Sequence, residues 1–213
     1  PYFINLAVED EEKKKKNLGY FVDSLKVAEA LGAKRAVFHP GSASGGNRGE
    51  ILGRACGFFK EIIAALDEME LMNVTLCPET MGKINQLGDL NEVIALCNVD
   101  ERIWPTIDFG HLHCRGLGSI KTKQDYADIL DRLENGIGTE RAKTMHVHFS
   151  RIEYTKGGEK MHHTFADTQW GPEPEPLLRL CKERQLSPVI ICESAGTQAE
   201  DARTMQLYYE SLF

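Results

Sequence analysis

His39, Glu79, Asp108, His146 and Glu193 stand where short apolar runs give out, and His111 follows three residues after Asp108. The runs are Ala36-Val37-Phe38, Val74-Thr75-Leu76-Cys77, Ile103 to Ile107, Thr144 to Phe149 and Val189-Ile190-Ile191-Cys192. Imidazole nitrogens and carboxylate oxygens together suit Zn²⁺, with Mn²⁺ or Fe²⁺ as further occupants. A single histidine or glutamate in such a place is usually a satisfied polar residue, and a glutamate there can cap the next helix. The whole set recurring at every clear strand points instead to metal. The seven histidines are His39, His111, His113, His146, His148, His162 and His163, and all fall at expected strand ends or in the following loops, none on an expected helix. Three carboxylates and several imidazoles exceed the needs of one ion, so two or three cations are expected. Clustered divalent cations point to phosphoester hydrolysis, because they make hydroxide available near neutral pH and stabilise charge at phosphorus and on the leaving oxygen.

For these side chains to meet, the elements between them must return each strand to the same end. Leu18, Phe21, Val22, Leu25 and Ala28 recur at helical spacing, and Gly32 ends that helix. The series Ile51, Leu52, Ala55, Phe58, Phe59, Ile62, Ile63, Leu66 and Met69 marks the clearest amphipathic helix. Helices around 89–97, at Tyr126 to Leu133, around 176–184 and at Ala202 to Leu212 separate the remaining strands. A Gly- and Ser-rich loop, Gly41 to Gly49, follows His39, and a polar excursion from Ser150 to Glu175 holds His162 and His163. Strands apolar throughout, alternating with helices roughly every 30 to 45 residues, predict a parallel sheet covered by helices. The expected fold is therefore α/β, a TIM (β/α)₈-type barrel in which all strand C-termini open on one face. A full barrel usually needs about 250 residues. The chain has 213 and starts at Pro1, so about two N-terminal β/α units are expected to be missing, with 1–213 forming a single incomplete barrel domain.

A net charge of −7 excludes a global basic footprint for nucleic acid or membrane. Any polyanion must be held locally, by metal or a few loop Lys and Arg residues. The six cysteines, Cys56, Cys77, Cys97, Cys114, Cys181 and Cys192, include no CxxC pair, which argues against a structural zinc and predicts reduced thiols in a cytoplasmic protein. No apolar run approaches a membrane span, and the stretch Pro-Tyr-Phe-Ile-Asn-Leu lacks a basic region followed by a cleavage site. No membrane partner and a monomeric state are expected.

At Phe-His-Pro-Gly-Ser, Pro-Glu-Thr, Ile-Asp-Phe-Gly-His, Met-His-Val-His and Cys-Glu-Ser, in that order, the sequence resembles the endonuclease IV family within the xylose-isomerase-like barrel superfamily. The resemblance implies a zinc-dependent endonuclease of DNA base-excision repair, cleaving damaged double-stranded DNA 5′ to abasic sites. It implies metal ligands at His39, Glu79, Asp108, His111, His146, His162 and Glu193, with Glu79 bridging two zincs, and catalytic roles for Glu79 and Glu193. Tyr2 matches part of the DNA-inserting surface. The family's third metal uses an Asp-Arg-His word, whereas this chain reads Glu159-Lys160-Met161-His162-His163. Lys160 stands where the Asp belongs and repels a cation, and Glu159 is the substitute if the loop shifts, so the third site is expected to be weak, empty or rebuilt. Two alternatives stand beside the nuclease. One is a metal-dependent sugar isomerase or epimerase of the same superfamily, and the other is a non-catalytic relative with a degraded third site. Metal count discriminates, since a polynuclear cluster favours the nuclease and a single metal the isomerase.

Overall fold

In the computed structural model, which describes residues 4–213, helix α1 (Glu11–Ala30) starts where the Asp10 side chain accepts the backbone N–H of Lys13. Tyr2 lies outside the described residues. Strand β1 (Arg35–Phe38), helix α2 (Arg48–Glu68), strand β2 (Thr75–Pro78) and helix α3 (Leu90–Cys97) follow. With the segment Asn85–Pro105 they form one compact unit, which ends its first stretch at Glu79. β1 and β2 are parallel, with Phe38 in register with Pro78. α2 begins at Asn47, whose side chain accepts the N–H groups of Gly49 and Glu50, and buries Ile51, Ala55, Phe58, Phe59, Ile62, Ile63 and Leu66, the stripe its helical period predicts. Phe59 meets Phe38 and Phe21 at ring-centroid distances of 5.4 and 6.3 Å. Burying each of these rings contributes about 2–3 kcal/mol.

α3 is held by a capping box between Asp89 and Glu92. The buried Glu92 accepts from the N–H groups of Gly88 and Asp89 at 2.7 and 2.8 Å and from Arg48 Nη2 at 2.9 Å, while Arg48 Nε donates to its other oxygen. Burial alone would raise the Glu92 pKa, but Arg48 and the two backbone donors outweigh it and hold the carboxyl below the ordinary range. Its contribution is therefore present above the unfolded-state pKa and lost as pH falls through the lower folded one. Glu92→Gln is expected to cost about 2–3 kcal/mol at neutral pH. Urea unfolding should show that difference shrinking as pH falls below the ordinary carboxylate range.

The second unit comprises Thr80–Ile84 and Thr106–Phe213. Its elements are β3 (Thr106–Asp108), α4 (Phe109–Arg115), α5 (Lys123–Ile137), α6 (Thr139–Lys143), β4 (His146–Phe149), β5 (Arg151–Thr155), β6 (Gly158–His163), α7 (Glu175–Glu183), β7 (Val189–Cys192) and α8 (Gln198–Glu210). β3, β4 and β7 make a parallel sheet in the order β3-β4-β7. Phe109, Tyr126 and Phe149 pack behind it, with centroids 5.2 and 6.4 Å from Phe109, and the Tyr126 hydroxyl donates to the Glu173 carbonyl. The parallel, helix-separated strands agree with the sequence expectation, although Val189 and Ile191 on β7 are 46% and 47% exposed. Among the described residues no helix is long and apolar enough to cross a membrane, and all six cysteines are free thiols.

Three expectations are corrected. His111 and His113 lie on a helix, because α4 begins directly after Asp108 and leaves no loop. His146 opens its strand and does not end it, so β4 runs on to Phe149. His162 and His163, expected in a polar excursion, lie on β6, which pairs with β5 as an antiparallel hairpin.

Candidate metal centre

Asp108 ends β3 and also caps α4. Its Oδ1 accepts the backbone N–H of His111 at 2.7 Å, while its own N–H donates to Thr80 Oγ1 at 2.9 Å. One turn of helix then returns the His111 ring toward the same carboxylate, with Nδ1 3.4 Å from Asp108 Oδ2. That oxygen is buried and has no hydrogen-bond partner among the described residues. A fully buried carboxylate oxygen is costly to leave bare, and a cation is the group whose arrival removes the cost. The residues present thus fit a divalent metal.

The imidazoles are oriented in the same sense. His111 Nδ1 lies 2.8 Å from the Thr80 carbonyl, so Nδ1 carries the proton and Nε2 carries the lone pair. His162 Nδ1 is 2.8 Å from Ser150 Oγ. Between the two outward nitrogens sits Glu159, with one oxygen 3.6 Å from His111 Nε2 and the other 3.9 Å from His162 Nε2. His111, Glu159 and His162 offer ligand atoms all within 4.8 Å of one another, and so do Asp108, His111 and Glu193. His111 belongs to both sets.

The hairpin explains how Glu159 reaches this position. Across β5 and β6, Glu153 pairs with Met161 and Tyr154 with Glu159, so the register skips Lys160. An extra residue in one strand shifts the side-chain alternation by one. Glu159 and His162, three apart, therefore share a face, as residues two apart do in a regular strand. Lys160 turns away, and its Nζ pairs with Glu153 Oε1 at 2.5 Å. The lysine expected to repel the cation is thus turned to another partner, and Glu159 beside it lies near both imidazoles. Gly82 makes room for it: a Cβ there would lie 2.6 Å from Glu159 Cβ and 2.8 Å from Cys114 Sγ. Arg115 holds that loop by donating to the carbonyls of Met81, Lys83 and Ile84. Burial, then the Glu159 and Asp108 carboxylates, push the Cys114 thiol well above its ordinary pKa, and the thiol belongs to neither ligand set.

β4 and Ser150 just beyond it supply further supports. With a period of two, His146, His148 and Ser150 project on one side. Ser150 holds His162, and His148 Nδ1 is 3.2 Å from Glu193 Oε1. His146 is buried and stands edge-on to His148 at 5.1 Å, and it belongs to neither of the two ligand sets above. His113 is a structural residue: the Ile120 N–H donates to its Nδ1 at 3.2 Å, and burial first lowers its pKa. Asp-x-x-His signals the Asp108 and His111 pair, whereas Thr80 and Ser150 carry no local sign of their role. In the first unit, His39 Nε2 and Glu79 Oε2 lie 3.3 Å apart, with Glu79 buried and its N–H donating to the Phe38 carbonyl.

The sequence pattern of the xylose isomerase-like TIM barrel family matches residues 1–210. An uncharacterized protein of Methanocaldococcus jannaschii is 34% identical over 210 residues, covering 99% of this chain and 75% of that protein. A probable endonuclease 4 of Staphylococcus carnosus is 33% identical over 172 residues, covering 76% of this chain and 54% of that protein. The chain thus spans about half the length of that endonuclease relative. Among solved structures, a D-tagatose 3-epimerase-like protein superposes with a TM-score of 0.73 at 19% identity, covering 98% of this chain and 74% of the other.

Proposed function

Because the chain belongs to the xylose isomerase-like TIM barrel family, we propose that it acts as a metal-dependent phosphodiester hydrolase of the endonuclease IV kind, nicking damaged double-stranded DNA 5′ to abasic sites with Zn²⁺. The observation that carries this reading is the pair of overlapping ligand sets, Asp108–His111–Glu193 and His111–Glu159–His162. Two sets that share one imidazole offer more ligands than one cation takes, and a polynuclear site is what phosphodiester hydrolysis uses. The endonuclease 4 relative supports the same reading. Bound cations would supply Lewis acidity toward a phosphoryl oxygen and a neutral-pH nucleophile from water.

The protein's own residues do the positioning. Asp108 offers its bare Oδ2, Thr80 and Ser150 fix which nitrogen each imidazole presents, and Glu159 supplies negative charge between them. His39 and Glu79, paired in the first unit, and His146 are the further ligands proposed from the family resemblance, with Glu79 and Glu193 in catalytic roles. A second reading, a sugar epimerase, rests on the epimerase-like fold neighbour and on the Asp108–His111–Glu193 set taken alone.

Incubating Zn²⁺- or Mn²⁺-loaded protein with a duplex holding one abasic site, and separately with ketoses, separates the two. Nicking 5′ to the lesion, abolished by chelation and restored by metal, is the expected result. Ketose epimerisation without nicking under any metal condition would overturn the nuclease reading.

A further inference from the structure

We infer that His148 is a positioning residue that holds the Glu193 carboxylate in the orientation a cation requires, an assignment that rests on the metal reading above. Glu193 lies one residue beyond β7, where its N–H still donates to the Phe149 carbonyl at 3.0 Å. That side chain is 36% exposed and long, with much rotational freedom to lose on binding. His148 is the opposite kind of residue. Its side chain is 9% exposed, it sits inside β4, and it is in register with Asp108 on β3 and Ile191 on β7. Strand pairing on both sides therefore fixes where its ring stands.

The contact is 3.2 Å between His148 Nδ1 and Glu193 Oε1. An Nδ1–H donated to Oε1 leaves Oε2 to face the cation with Asp108 and His111. Carboxylate ligands are commonly held in this way, and loss of such a support typically costs 10- to 100-fold in metal affinity. His146 does not serve, because it lies at the opposite end of the strand from the Phe149 carbonyl that receives the Glu193 N–H.

The test is Co²⁺ titration of the metal-free protein, followed by its visible absorption, for wild type, His148→Phe and His148→Asn, each checked by circular dichroism. His148→Phe keeps a ring and loses the donor, while His148→Asn keeps a donor at a similar reach. The expected result is an affinity about 10- to 100-fold weaker for the Phe variant at one site, with the other site retained. The Asn variant should recover most of the loss. Equal affinity in a folded Phe variant, or no recovery by Asn, overturns the assignment, the latter outcome making His148 a ligand. Should the Phe variant fail to fold, His148→Asp replaces it: near the size of Asn, it repels Glu193, and affinity equal to the Asn variant overturns the assignment equally. Wild-type protein that takes up neither Co²⁺ nor Zn²⁺ overturns the metal reading itself, a result distinct from any difference among variants.

Discussion

Glu159→Gln is expected to weaken cation binding at the His111–Glu159–His162 set by about 100-fold or more, while Lys160→Met leaves it within about twofold. The contrast follows from the hairpin. Glu159 reaches both outward imidazole nitrogens, so an amide in its place removes the only negative charge of that set. Lys160 is 56% exposed and pairs with Glu153 on the other side, and an exposed ion pair of this kind is worth about 0–1 kcal/mol. Position-by-position matching to the family would predict the reverse, a lysine whose removal restores a lost site. Isothermal titration with Zn²⁺ on both variants decides between them. A large gain in affinity for Lys160→Met, with Glu159→Gln near wild type, would show that the ammonium and not the glutamate governs the site. The Glu153 carboxyl, held below its ordinary pKa first by Lys160, stays charged through neutral and mildly acidic pH. The lysine's partner is therefore charged across the pH range of such a titration.

Asp108→Asn separates folding from metal chemistry. The amide oxygen can still accept the His111 N–H as the α4 cap, so the metal-free variant should melt within about 1 kcal/mol of wild type. What it loses is the charge on Oδ2, the buried oxygen that has no hydrogen-bond partner among the described residues. Cation affinity and any hydrolytic rate should fall by on the order of 10³, the loss of several kcal/mol of charge stabilisation. Wild type in Zn²⁺ at about 100 times its dissociation constant should gain about 2.7 kcal/mol, seen as a rise in melting temperature. The variant should show no rise. A variant that still gains stability with Zn²⁺ would mean that the bare oxygen is not a ligand. These two substitutions act on different ligand sets that share His111, so their effects on affinity should not add independently.

Local pattern determined much of this protein from the sequence alone. The i, i+3, i+4 stripe of α2 and the apolar runs before Glu79, Asp108 and Glu193 depend on neighbours within a few residues, and each appears where expected. The Asp-x-x-His pair was legible because one turn of helix suffices to bring it together. The tertiary structure alone decided which acid completes the second set and which histidine attends Glu193. A bulge is a mismatch between two strands, so nothing within Glu159-Lys160-Met161-His162 could show that Lys160 is the residue skipped. The nitrogen each imidazole presents was likewise settled by partners far along the chain, Thr80 for His111 across 31 residues and Ser150 for His162 across 12. Strand ends, too, are set by pairing and not by the apolar run, so β4 runs on past His146 and brings His148 beside Glu193.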